Sequence, residues 1–581
     1  MATENLMDCR AGTLFFSVII SLVASCVGVN EIEASETIRI PDLDDFQWPS
    51  PAPELASDPD WVAQARIGGT DINRYMTAAQ LIALLKERRA QGVTVVELDS
   101  AFSQYLNDTE FEQEARLMDT AAEIAHRLGM RAVAYYPSLE ILTEAEKSST
   151  AAEDHPEWLQ VGIDGTLNAF VGSLEVWVKS DEESAWIDPN GPYRDVYLKR
   201  IRRLANTKLD GVWVDVPLFM DTGTVWPSFH PASNAAFKAW SVARGLGDAD
   251  GYDPPISSDM SDPVFRAWIR WRHETLADFQ TAIVDTVEQE RDDFWVIVEA
   301  FPLDYLDATD KGLDGAFGPE RPRFTRVWEV DSVSNTKGML WARPEDFTSK
   351  IAMNKYARAA DRDAPTWVFS YGFQPGDAGL VMAAAVASGA RPFECQTPEM
   401  TRTVDSDFRT HWFNWLEEQR DAFADDERFA RVGVWYSSAS RDYLDYNEDN
   451  NGLYGMYVTT DPKDSDPTWW STSPDDSVVD KPHVGGWRGA ANALTQLKIP
   501  FKPVLSPGQP QREIQDIETL WLPSVVALSD TEAQLITDFA EQGGFVLATG
   551  AFPGQLDPLG NVREQSILAP LFLEESGSIE D

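Results

Sequence analysis

The sequence predicts an α/β chain, a (β/α)8 barrel followed by a smaller α/β domain. Three observations carry this. Short apolar runs alternate with helical segments from about residue 60 to 425. Several of the runs end in an acid. A second alternating unit begins near residue 429. Regular β-then-α order implies a parallel sheet, and this many units favours closure over an open sheet.

The run that defines the barrel is Leu209-Asp210-Gly211-Val212-Trp213-Val214-Asp215-Val216-Pro217. It reads as a buried interior strand that delivers Asp215 to its C-terminal end, with proline ending the ladder. The other strands are expected at 65–71, 93–99, 131–137, 294–301, 326–331, 366–371 and 391–395. Helices are expected over 110–128, closed by Gly129, over 192–206 and over 262–291. In the second unit, strands are expected at 430–436, 519–523 and 545–549, with a helix over 487–497. A further helix opens at Ser529 with Glu532 as its capping partner and stops at Gly543-Gly544.

Ahead of the barrel, Thr13 to Val29 is the one long apolar run, and Val23-Ala24-Ser25-Cys26 within it resembles a bacterial lipoprotein signal. Residues 1–30 are therefore expected to direct export, with membrane attachment through a lipid on Cys26 as one form of it. Residues 31–60 are acidic and proline-dotted and read as a linker. The barrel is placed at 61–428 and the second domain at 429–581. Cys395 is the one cysteine outside the export segment, so no disulfide is expected in the mature chain.

The formal net charge is −47. Phosphate-bearing partners would be repelled, so nucleic acid is excluded as a partner. Acid excess with few lysines suits saline surroundings, where dense carboxylates keep a protein hydrated. The 21 tryptophans fill cores and also suit sugar faces, whose C–H groups stack on aromatic rings.

The strand ends bring together Glu97, Asp99, Asp215, Glu299, Glu329 and Asp331, with Tyr136, Trp213, Trp328 and Tyr371 between them. Carboxylates with aromatic walls at a barrel mouth suit glycoside hydrolysis, which needs one carboxyl on each side of the scissile bond. Asp215 is assigned as nucleophile and Glu299 as acid/base, with Glu329 and Asp331 as alternative acids. Asp99, Tyr136, His155, Trp158, Trp213, Trp328, Glu329 and Tyr371 are expected to bind substrate. Only one of Glu97 and Asp99 is expected to face the barrel interior. Ion pairs of these acids with Arg131 or Arg326 would instead make them structural.

No HExxH, CxxC or close histidine pair is present, so no metal is expected. Asp445, Asn447, Asp449 and Asn451 have the alternating spacing of a calcium loop. Asn450 and Met456 stand where glycine and glutamate are required, which argues against calcium. Nucleotide-binding glycine motifs are absent, and no cofactor is expected.

With Asp210-Gly211-Val212-Trp213-Val214-Asp215, Val298-Glu299 and the His155-Pro156-Glu157-Trp158 loop, residues 90–330 resemble the TIM-barrel glycoside hydrolases that include α-L-fucosidases and α-galactosidases. The resemblance implies that Asp215, at the end of strand four, is the nucleophile. The β-galactosidase-like clan ranks lower for the barrel, because no Asn-Glu stands at that strand end. Leu522-Pro523, Leu528-Ser529-Asp530 and Gly543 to Gly550 resemble the trimerisation domain of family-42 β-galactosidases. That domain is flavodoxin-like and related to glutamine amidotransferases. Its amidotransferase cysteine is missing here, so the resemblance implies a structural or homo-oligomerising role. Arg441-Asp442-Tyr443 is placed where it would reach the barrel mouth.

The sequence thus reads as an exported, retaining glycosidase acting on a carbohydrate substrate. The alternative is a non-catalytic carbohydrate-binding or assembly protein on the same scaffold. A lyase or isomerase of sugar acids would want a metal site or lysine base, and neither is evident.

Overall fold

The computed structural model describes residues 43, 46–172, 178–220, 223–300, 323–329, 344–361, 364–370, 383–394, 406–423, 429–445 and 482–572. The segment expected to direct export, Asp331, Tyr371, Cys395 and most of the calcium-like loop lie outside them.

Eight parallel strands close into a barrel. They are β1 (Ile67–Asp71), β2 (Val95–Asp99), β3 (Arg131–Tyr135), β7 (Gly211–Val214), β8 (Trp295–Ala300), β9 (Phe324–Glu329), β10 (Thr366–Ser370) and β11 (Arg391–Glu394). The ring closes where β1 pairs with β11. A three-stranded antiparallel sheet is inserted between β3 and β7, made of β4 (Glu140–Thr143), β5 (Ala169–Val171) and β6 (Glu183–Trp186). β7 is therefore fourth in the barrel, as the sequence predicts.

Helices α1 (Ala78–Ala90), α2 (Asp108–Arg127), α3 (Tyr193–Ala205), α4 (Pro231–Ala243), α5 (Pro263–Glu288), α6 (Pro344–Asp361) and α7 (Ser406–Glu418) accompany the barrel. Their starts are written locally. Thr77 with Gln80 and Asn107 with Glu110 form capping boxes, and Asp262 caps α5 with proline at its first position. Gly129 ends α2 at φ +78, a conformation that favours glycine.

The register puts alternate residues of each strand inside. Ile67, Val95, Val133, Trp213, Trp295, Ile297 and Trp367 form the interior layer, with Trp61 closing the foot edge-on against Trp295 and Trp367. Gly211 is needed there, since a Cβ would meet the Trp295 carbonyl at 2.6 Å. The opposite faces of the strands pack Val96, Leu98, Val212 and Val298 against the helices.

The segment read as a linker is packed from Leu43 onward. Leu43 is buried, Phe46 and Trp48 pack on the main core, and the Asp58 carboxylate accepts from the Trp295 indole at 2.5 Å. A few apolar anchors outweigh its acidic, proline-rich composition.

The second domain has strands β12 (Val432–Ser437), β13 (Phe501–Ser506), β14 (Thr519–Pro523) and β15 (Phe545–Thr549), all parallel, in the order β13-β12-β14-β15. Second-first-third-fourth is the opening of the flavodoxin-like order. Its helices are α8 (Ser438–Leu444), α9 (Pro482–Gln496) and α10 (Asp530–Glu541), the last with the predicted Ser529–Glu532 capping box. Asp445 spends its carboxylate on the first backbone N–H groups of α9, at 2.8 Å from His483 and 2.9 Å from Val484. That use suits a helix N-terminus. The domain shares a core with the barrel, in which Met353 and Tyr356 of α6 pack with Val434, Tyr436 and Trp487.

Candidate active site

The motif at β7 splits its two acids between the two ends of the strand. Asp210 precedes the strand and is an anchor. It accepts from Arg131 Nη1 at 2.6 Å and from the Ala132 backbone at 2.8 Å, and its Oδ2 lies 2.7 Å from His126 Nε2. Asp215 follows the strand at the C-terminal mouth, where parallel barrels place their reactive groups.

Asp215 is almost buried, and both of its oxygens accept hydrogen bonds. Tyr135 Oη donates to Oδ2 at 2.5 Å, and the Val216 backbone N–H donates to Oδ1 at 2.8 Å. The same Val216 N–H lies 3.2 Å from Glu299 Oε2. Val214 pairs with Val298, so the residues that follow them, Asp215 and Glu299, stand level at the mouth. The Asp215 carbonyl is also pinned, by the Ser138 backbone and hydroxyl at 2.9 Å each.

Val216 has φ +43, a left-handed conformation that strains a β-branched residue. Packing of Val216 with Trp186, Leu218 and Met220 holds it in place. Trp186 is fully buried beneath this turn. Such strain persists where the surroundings over-determine it, typically at functional positions.

Asp71, Glu97 and Asp99 extend the acid group across β1 and β2. Asp71 pairs in register with Asp99, and Glu97 with Gly69. Glu97 and Asp99 both face the interior group, contrary to the expectation that only one would. Residues two apart on a strand share a face. Burial first, then Asp99 and Asp71, pushes the Glu97 carboxyl well above its usual range. Burial and Asp71 push Asp99 up to about 8. Burial, followed by Asp215 and Asp99, raises the Tyr135 phenol.

Among the described side chains, neither arginine pairs with these acids. Arg131 is committed to Asp210, and Arg326 to Asp361 at 3.1 Å. Among the described residues, no three metal-ligating side chains form a group able to hold a metal.

The expected aromatic walls are placed differently. Tyr136 is 1% exposed and packs among Phe102, Phe111 and Tyr197, on the helix side of β3. It is Tyr135 that reaches Asp215. The two adjacent tyrosines necessarily take opposite faces, and Tyr135 shares the register of Trp213. Trp213 is buried in the interior layer, edge-on to Tyr135 at 4.8 Å, and forms a floor under the acids. His155 and Trp158 stack on each other at 3.6 Å. Trp158 leans on Tyr193 at the start of α3, and His155 Nδ1 lies 3.0 Å from Glu157. These contacts staple their loop, and none among the described residues joins them to Asp215.

For Trp328 and Glu329 the backbone alone is described. Trp328 pairs with Ala300 and Val368, and Glu329 with Phe369, so Glu329 falls on the register parity of Glu299. Arg441 and Asp442 do not reach the mouth. They are buried against His273 of α5, with Asp442 Oδ2 3.0 Å from His273 Nε2.

Missed by sequence reasoning were Tyr135, Asp71 and the strained Val216. Tyr135 was the neighbour of a named residue, and only the register decides between the two.

No protein-family model matches the chain, and no curated protein matches it in sequence. Solved structures do match. The β-galactosidase from the psychrophilic Marinomonas ef1 aligns with a TM-score of 0.60 at 13% identity, covering 87% of this chain and 79% of that one. The likeness is one of fold. A polyextremophilic β-galactosidase from the Antarctic haloarchaeon Halorubrum lacusprofundi aligns at 0.60 and 16% identity, covering 87% and 76%. A catalytic mutant of Gan42B, a GH42 β-galactosidase from G. stearothermophilus, aligns at 0.62 and 13%, covering 87% and 75%.

The chain therefore shares the TIM-barrel fold of these structures. The likeness spans 87% of this chain, more than the barrel alone, whereas the sequence reading ranked the β-galactosidase-like clan lower for the barrel. That ranking rested on one strand end, whereas fold likeness follows the whole arrangement of strands and helices. The end of β7 carries Val214-Asp215 and no Asn-Glu.

Proposed function

We propose that the chain is a glycoside hydrolase that works with retention, with Asp215 as nucleophile and Glu299 as acid/base. The observation that carries this is the convergence of both carboxylates on the Val216 N–H. Groups that near to each other suit the closely spaced pair of a retaining enzyme, about 5–5.5 Å apart, better than the wider pair of an inverting one.

In the first step the Glu299 carboxyl protonates the glycosidic oxygen as its bond to the anomeric carbon breaks. The Asp215 carboxylate attacks that carbon and forms a glycosyl ester. In the second step the Glu299 carboxylate takes a proton from water, the water oxygen bonds to the anomeric carbon, and Asp215 leaves as carboxylate. Tyr135 and Val216 fix the plane of the Asp215 carboxylate in advance.

β-Galactosides are the first substrates to test, since the structural neighbours are described as β-galactosidases. The second domain is assigned an assembly role, to be read from the mass in solution by light scattering. Export with lipidation at Cys26 is tested by palmitate labelling of wild type and Cys26→Ala.

The deciding experiment is a screen of aryl glycosides and marine polysaccharides, with added salt, on wild type and Asp215→Asn. Turnover lost in the variant with unchanged thermal unfolding supports the reading. Equal turnover in the two contradicts it.

A further inference from the structure

Glu97 is the buried acid that the proposed chemistry leaves unused. It is 3% exposed, and its Oε1 is fully enclosed with no hydrogen-bond partner among the described residues. It stands on the same face of β2 as Asp99, one step deeper in the barrel. Its electrostatic neighbours are Asp99, Asp71 and Asp215, all acids, and the Thr70 backbone alone acts in the opposite sense. A buried carboxylate in such company is costly, whereas a buried carboxylic acid is not.

Asp99 is the outward member of the pair. It is half-buried at the mouth, where the groups facing it are Asp71 from β1, Glu97 below it on β2, Tyr135 from β3 and Asp215 after β7. Behind the turn that follows it, Glu114 of α2 packs against Ser100 and Ala101, itself raised by burial.

We propose that Glu97 and Asp99 retain a proton between them at neutral pH, and that Asp99 presents it as a hydrogen-bond donor to a hydroxyl of the sugar bound over Asp215. Two coupled carboxyls on one strand face titrate as a pair, so the inner one sets the state of the outer one. The upward displacement of both, by burial and then by neighbouring acids (Asp99 and Asp71 on Glu97, Asp71 on Asp99), agrees with this geometry. The role is one of recognition. It adds a donor to a wall of acceptors, and it selects a neutral sugar whose hydroxyl accepts at that position. The identity of the ligand rests on the glycosidase reading, whereas the retained proton does not.

Two measurements separate these. Infrared difference spectra of wild type against the Glu97→Gln/Asp99→Asn double variant should show a protonated-carboxyl band at pH 7 that vanishes as pH rises through about 8. Absence of that band at pH 7 overturns the proposal whatever the enzyme does. In parallel, calorimetry follows binding of phenyl 1-thio-β-D-galactoside, which is not hydrolysed. Wild-type Kd should rise about tenfold between pH 7 and 9, as the donor is lost. Asp99→Asn keeps a donor at every pH and should bind with a flat profile, and Glu97→Gln should move the wild-type limb to lower pH. A flat wild-type profile, or an unmoved limb in Glu97→Gln, overturns the donor role. No binding at any pH contradicts the donor role and the galactoside reading together, and leaves the infrared band to decide the retained proton by itself.

Discussion

Asp215 and Glu299 accept from one backbone N–H, that of Val216, at 2.8 and 3.2 Å. Their strands are neighbours in the barrel, and Val214 pairs with Val298 just below them. The donor belongs to a residue held in a strained left-handed turn. One backbone group thus fixes the relative placement of the two carboxylates assigned to the chemistry.

The acid/base assignment predicts a leaving-group effect. Glu299→Gln should lower kcat/KM by roughly 10²–10⁴ for substrates with poor leaving groups and far less for dinitrophenyl glycosides, which depart unaided. Glu329→Gln should leave that ratio unchanged. Steady-state kinetics on a leaving-group series checks both, and the reverse pattern transfers the role to Glu329.

Tyr135→Phe removes the donor to Asp215 Oδ2 while keeping the ring against Trp213. A hydrogen bond to a charged group contributes about 1.5–3 kcal/mol. We therefore expect kcat to fall by roughly 10–100-fold with little change in unfolding temperature. Unaltered kcat would show that Asp215 is oriented without the tyrosine.

Glu97 makes the fold sensitive to alkali. Its carboxyl is raised in the folded state, first by burial and then by Asp99 and Asp71. An acid raised on folding binds more protons folded than unfolded, so stability falls as pH rises from about 4 towards the folded value. Glu97→Gln should remove this loss, raising stability at pH 8 and changing it little at pH 4. Chemical denaturation at the two pH values measures the difference.

The junction between barrel and second domain responds in the opposite direction. Burial alone would raise the Asp442 carboxyl, but Arg441 and His273 outweigh it and hold it well below its usual range. That stabilisation is present above about pH 4 and is lost as pH falls further. Asp442→Asn should cost about 3–5 kcal/mol near neutrality, because it leaves Arg441 buried without its partner, and the cost should shrink in acid. Denaturant unfolding at pH 7 and pH 3.5 provides the comparison.

The barrel was legible because its strands are apolar runs with acids at one end, as in Leu209–Pro217 and Phe294–Phe301. The inserted sheet β4–β6 was not. Its strands are short, and their surroundings are held by buried amides such as Gln160 and Asn168, which leave no hydrophobic period. β13 was hidden by Lys502 and Pro503, yet it is an edge strand, where proline is tolerated. At the site, the acids could be read from their strand ends. The choice between Tyr135 and Tyr136, and the shared face of Glu97 and Asp99, depend on inter-strand register and on alternation along each strand. The turn at Val216 has no local signature, since valine is an unfavourable residue for φ +43 and is kept there by tertiary packing.

The most direct test of the central claim is to trap the glycosyl ester. Activated 2-deoxy-2-fluoro glycosides, led by the galactoside, should inactivate the protein with time and add one sugar mass. Peptide mass spectrometry should place that mass on Asp215. A sugar mass on any other carboxylate, or turnover of the parent aryl glycoside that survives in Asp215→Asn, would contradict it.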